Sequence, residues 1–156
     1  MGSLMDLVAG DARDIVLALS IDDVAAFEDP DRFVAHLPLG GGLDPTWLDL
    51  FAEAVRTVAG LDDLADFLDA RTELEGAAAQ VERIVHRVDL AWIELVAQVQ
   101  EDQRGALAGC WIELLEEELG LLPREEKPWI RDLAGRIVAF CRFSVGARDV
   151  VFAWAF

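Results

Sequence analysis

Apolar residues that recur with a helical period fill the middle of this chain and constrain its fold more than any other feature. Trp47, Leu50, Phe51, Ala54, Val55 and Val58 fall at i, i+3, i+4, i+7, i+8 and i+11. That spacing places all six on one face of a single helix. Asp44 supplies an N-cap, Pro45 sits at the first helical position where its missing N–H costs nothing, and Gly60 ends the run. Similar spacing predicts a short helix with Leu61, Leu64, Ala65 and Leu68 inward and Asp62, Asp63, Asp66 and Asp69 outward. It also predicts a helix over 72–88 (Val81, Ile84, Val85, Val88) and another through Trp92, Leu95, Val96 and Val99. A further helix through Leu107, Ala108, Trp111, Ile112, Leu115 and Leu119 stops at Gly120, and a last one starts near Pro128 and uses Trp129, Leu133, Ile137, Phe140 and Cys141. In the stretch 22–39, Asp22 and Asp23 cap a short helix through Val24 and Phe27, and Pro30 opens another that ends before Pro38.

The two ends of the chain read differently. Ala12–Ile21 and Ala147–Phe156 both begin Ala-Arg-Asp and continue with a run of strand-forming apolar residues. The expectation is that 14–21 and 149–156 are strands that pair with each other. A two-stranded ribbon is marginal alone, so helices must cover it. The predicted fold class is therefore mostly α (α+β minor): a helical domain of about six helices with a small strand pair from the N- and C-terminal segments. An all-α bundle is the alternative. Only short turns separate the apolar segments, so residues 1–156 are read as a single domain, with 1–4 set aside as a vector-derived or disordered start. A chain of this length can bury about two-thirds of its unfolded surface and needs neither disulfides nor a structural metal. Cys110 and Cys141 lie in apolar helical patterns and read as buried, reduced thiols.

Charge limits the partners. The chain carries 30 acidic and 13 basic residues, a formal net charge of −17. Such a field repels nucleic acid and anionic membranes and attracts a basic protein. The charge is uneven: residues 22–69 hold twelve acids against Arg32 and Arg56, whereas 124–148 hold six bases against three acids. No run approaches the ~18 apolar residues of a membrane span. No basic segment followed by an apolar one opens the chain, so the cytoplasm is the default location.

Chemistry-bearing patterns are sparse. Gly40-Gly41-Gly42 leads into a helix start, a junction that can cradle phosphate, but no Lys-Ser/Thr follows and Asp44 occupies the anion position. The segment reads instead as an interaction loop (His36, Leu39, Gly40, Gly41, Gly42, Leu43, Asp44) that presents Leu39 and Leu43 to a partner. His86, with Glu82 one turn before it and Asp89 three residues after, has metal-ligand spacing, but a solvated Glu82–His86 pair is the simpler reading. Glu113, Glu116 and Glu117 share the helix face opposite Trp111, Ile112 and Leu115, with Glu118 beside them, as a solvent face does. There is no tyrosine, and Ser3, Ser20 and Ser144 are the only serines. The five tryptophans read as core anchors. No catalytic, cofactor-binding or metal-binding residue is assigned. The expected function is a non-catalytic acidic interaction or regulatory domain that binds another protein, a basic one. The alternative is a small enzyme or ligand-binding domain with a pocket between helices, and where the histidines point separates the two. A homodimer follows if the C-terminal strand lies at a sheet edge.

Overall fold

The structure, a computed structural model, describes residues 4–40, 43–74 and 83–155. Its centre is a five-stranded, wholly antiparallel sheet of strand order β2-β1-β5-β4-β3. The strands are β1 (Leu4–Gly10), β2 (Ala35–Gly40), β3 (Arg71–Glu73), β4 (Ile84–Val88) and β5 (Asp149–Ala155). Among the described residues five α-helices surround it: α1 (Ala12–Ser20), α2 (Thr46–Ala59), α3 (Leu90–Val96), α4 (Arg104–Leu119) and α5 (Lys127–Ser144). The protein is thus an α+β fold and not a mostly helical domain with a minor strand pair, and the description "helical" is corrected with it.

Three local readings explain the difference. The segment 14–21 is not a strand but most of α1. Asp11 caps that helix by accepting from the Arg13 amide at 2.9 Å, and the buried residues Ala12, Ile15, Val16 and Leu19 have helical spacing. The strand that pairs with β5 is β1, in register from Leu4 opposite Ala155 to Gly10 opposite Asp149. Leu4 therefore belongs to the sheet. The helix expected over 72–88 is replaced by β3 and β4, with Val81 outside the described residues. Ile84 and Val88 face one side of β4 and Val85 the other, the two-residue alternation of a strand. The helix expected to open at Pro30 is a turn followed by β2, and 61–70 forms turns.

Both faces of the sheet are covered. Met5, Leu7, Ala9, Leu37, Leu39, Val88, Val150 and Phe152 face the larger core formed with α2–α5. Val8, Val85, Val151 and Ala153 face a smaller core closed by α1 and by a 3-10 turn, Val24–Glu28, carrying Phe27. Pro38 sits in the edge strand β2, where a missing N–H is tolerated. β5 lies inside the sheet between β1 and β4, so the edge-pairing route to a homodimer is not open to it.

The helices follow their sequence signals more closely. Gly60 adopts a left-handed φ of 68° and its amide bonds the Arg56 carbonyl, which closes α2. Asp44 accepts from the Thr46 amide at its start. Asp89 accepts from the Ala91 amide at the start of α3. Two indoles are buried with their N–H groups satisfied: Trp111 donates to the Trp47 carbonyl at 2.8 Å and Trp92 to the Ala65 carbonyl at 3.0 Å. Ring contacts then run without a break from Trp111 to Phe51, Trp92, Phe67 and Phe152, joining α4, α2, α3, the 61–70 turns and β5. Among the described residues no helix is long and apolar enough to cross a membrane.

Phe152 ends this aromatic chain and is fully buried, whereas Phe143 is 73% exposed. Phe152→Ala is expected to destabilise the fold by about 3–5 kcal/mol, and Phe143→Ala by no more than about 0.5 kcal/mol. Urea denaturation followed by tryptophan fluorescence checks both.

Candidate functional site

The sheet buries one carboxylate. Asp6 is the only charged residue of β1, and strand alternation turns it with Val8 toward α1. Its neighbour across the sheet on β5 is Ala153, too small to fill the space beside it. Two cations do so. His36 of β2 places Nε2 2.8 Å from Asp6 Oδ1, and Arg83, just ahead of β4, places a guanidinium nitrogen 3.6 Å from Oδ2. A second Arg83 nitrogen lies 3.8 Å from exposed Asp22. The other ring nitrogen of His36, Nδ1, is 2.5 Å from Glu28 Oε1 at the end of the 3-10 turn. Phe27 covers the imidazole, with ring centroids 5.3 Å apart.

The His36 side chain is only 5% exposed. Burial by itself disfavours the imidazolium, but hydrogen bonds to Asp6 and Glu28 and the charges of both carboxylates outweigh it, so its pKa is raised. Both ring nitrogens are within hydrogen-bond distance of carboxylates. Among the described residues no group of three or more His, Cys, Asp or Glu is arranged to hold a metal ion.

His86 occupies the opposite face of the sheet. It stands on β4 between Phe152 of β5 and Glu73 of β3. Arg71 lies close by, its guanidinium carbon 4.8 Å from the Phe152 ring centroid and 5.2 Å from that of Phe67. Burial and then the Arg71 charge lower the His86 pKa, against a smaller opposing effect of Glu73. His86 borders a small cavity of about 140 Å³ with Glu73, Arg83 and Ile84. A larger cleft of about 360 Å³ opens at the other end of β3–β5, and several of its charges are paired. Arg87 pairs with Asp149 at 3.3 Å, Arg148 pairs with Asp11 at 3.3 Å, and Asp149 also accepts from the Ala12 amide.

The residues of the expected interaction loop fall in several elements. His36, Leu39 and Gly40 belong to β2, Leu39 and Leu43 are buried in the larger core, and Asp44 is engaged at the start of α2. Gly41, Gly42 and Glu82 lie outside the described residues. Asp6, Glu28 and Arg83 were not singled out from sequence. The available signal was Asp6 itself, one charge inside an otherwise apolar seven-residue run.

The acidic helix residues meet across α2 and α4. Cys110 of α4 is half-buried, and burial and then the charges of Glu113, Glu53 and Glu117 raise its pKa. Glu53 of α2 and Glu113 and Glu117 of α4 thus share one field. Beside them a groove of about 240 Å³ is lined by Thr46, Trp47, Asp49, Leu50, Glu118 and Leu119. Glu116 does other work: it accepts from the Leu122 amide and pairs with Lys127 at 3.4 Å, tying the end of α4 to α5. Comparison with models of known protein families, with characterised proteins and with solved structures gives no match for this chain.

The two histidines are expected to titrate on opposite sides of the ordinary value of 6.5, His36 above it and His86 below. The stability that His36 contributes is complete below its unfolded pKa and is lost as pH rises through the folded one. The stability tied to neutral His86 is complete above its unfolded pKa and is lost as pH falls through the folded one. The histidine-linked part of stability therefore peaks near the ordinary value. NMR titration of the imidazole protons, with urea denaturation across the same pH range, checks both statements.

Proposed function

We propose that this protein is a non-catalytic acidic binding domain that docks a basic protein on the α2–α4 face. The observation that carries the reading is the set of exposed carboxylates on two packed helices: Glu53 on α2 and Glu113, Glu117 and Glu118 on α4. None of the four takes part in an ion pair among the described residues. Glu118 and Asp49 line a groove with half-buried Trp47 and Leu50 and exposed Leu119, so an apolar floor meets acidic side chains. Aromatic and aliphatic anchors ringed by charge suit a partner that brings an apolar side chain flanked by Lys or Arg.

The molecule's own bases do not neutralise this face. No ion pair among the described residues joins 22–69 to 124–148. A net charge of −17 speeds the approach of a cationic partner and makes the complex sensitive to salt.

The test compares the wild type, a Glu53→Lys/Glu113→Lys/Glu117→Lys variant and a remote control, Asp29→Lys/Asp31→Lys, as baits in native lysate. Retention is read by mass spectrometry at about 0.05 M and about 1 M salt. The reading predicts a basic protein held by wild type and control at low salt, shed at high salt and lost from the triple variant. Equal retention by all three baits sinks the assignment of the face.

A further inference from the structure

We propose that Glu28, His36 and Asp6 form a protonation-controlled latch, which holds the 24–33 segment over the smaller core while His36 is doubly protonated and lets it open when the imidazole is neutral. The inference is independent of the binding role assigned to α2 and α4.

Two carboxylates that only accept flank one imidazole, at 2.8 Å from Nε2 and 2.5 Å from Nδ1. An imidazolium has an N–H for each of them, whereas a neutral imidazole has one. On deprotonation one contact must set a nitrogen lone pair against a carboxylate, and that contact breaks.

The surroundings decide which. The Asp6 side chain is 9% exposed, stands on the interior strand β1, and keeps Arg83 at 3.6 Å as a second partner. The Glu28 side chain is 70% exposed and stands at the end of a short 3-10 turn, where it can swing into water. The neutral ring therefore keeps its proton on Nε2 toward Asp6 and releases Glu28. The other groups around the imidazole do not replace that contact. Arg83 faces Asp6 and Asp22, α1 contributes only apolar side chains to this core, and Phe27 contributes a ring.

Release matters because of how the segment is tied down. Asp23 donates to the Ala18 carbonyl on one side, and Val34 donates to the Ala9 carbonyl on the other. Between them, the backbone bonds of 24–33 stay within the segment and its Asp23 cap: Ala26 to Asp23, Asp29 to Ala26, and Arg32 and Phe33 to Asp29. Among the described residues, Glu28–His36 is the one hydrogen bond or ion pair that joins 24–33 to the sheet. Without it only the burial of Phe27 and Phe33, packed edge to face at 5.1 Å, holds the flap. The raised pKa of His36 agrees with this geometry and places release on the alkaline side of the ordinary histidine value.

Hydrogen exchange by mass spectrometry on the full chain, from about pH 6 to about pH 9, tests the latch after correction for intrinsic exchange rates. In the wild type, protection of 23–33 should fall by about tenfold with the same midpoint as the His36 titration, while β1 and β5 stay protected. In Glu28→Gln the side-chain amide accepts from an imidazolium and donates to a neutral ring, so the step should vanish and the segment stay protected throughout. In Glu28→Ala the segment should be loose at every pH. A wild type with no step, a step that persists in Glu28→Gln, or full acid-side protection in Glu28→Ala overturns the proposal.

Discussion

Strand β5 is the constraint on which the rest of the molecule depends. It lies between β1 and β4, pairs with both, and is the link between the two halves of the sheet. Its alternation sends Val150 and Phe152 into the larger core and Val151 and Ala153 into the smaller one. Each of those residues sets something further in place. Phe152 ends the aromatic chain that begins at Trp111 and gives the Arg71 guanidinium a ring to lie over. Ala153 leaves room beside Asp6 for the cations that neutralise it. Asp149 accepts the Ala12 amide and so fixes the entry into α1. Because β5 is the last element in sequence, the sheet closes only through contacts between the two ends of the chain, a non-local step that slows folding.

The buried polar groups follow from this frame. A carboxylate in a central strand is costly unless it is paired and hydrogen-bonded. Asp6 meets that condition through His36 on one neighbouring strand and Arg83 beside another. That pairing engages Nε2 of the imidazole, while Nδ1 faces Glu28. The histidine most deeply set in the fold is thus an electrostatic tie between β1, β2 and the 3-10 turn. In the cleft beside β3–β5, Asp149 is held by Arg87 and by the Ala12 amide. The exposed α2–α4 carboxylates, which take part in no ion pair among the described residues, are the physical basis of the proposed binding role.

Much of the helical half was legible in the sequence, and much of the sheet was not. The apolar face of α2, its Asp44 and Gly60 boundaries, the Asp89 cap of α3 and the Gly120 end of α4 are local signals that act within a turn or two. β5 was legible as an apolar, β-branched run. β1 was missed because a strand covered on both faces shows no alternation, and Leu4–Gly10 reads as an unpatterned apolar stretch. α1 was mistaken for a strand because Ile15 to Leu19 is a short apolar run of the same kind, and period cannot arbitrate over so few residues. Ile84, Val85 and Val88 imitate one helix face although they alternate across β4. Of the polar site, Asp6 was visible as a lone charge in an apolar run. Its partners at 36 and 83 were not, because only the strand order brings them to it. Glu28 reaches His36 through a turn that sequence patterns do not specify.

The pairing of the two ends of the chain as the middle of one sheet is the claim on which every placement above rests. Interstrand nuclear Overhauser effects in a uniformly labelled sample test it most directly. Backbone contacts are expected to link Leu7 with Phe152 and Val8 with Val151, and others to link Val85 with Ala153. Contacts from Val150–Ala155 to residues 15–19, with none to 5–9, would contradict it and would dismantle both the Asp6 site and the latch built on it.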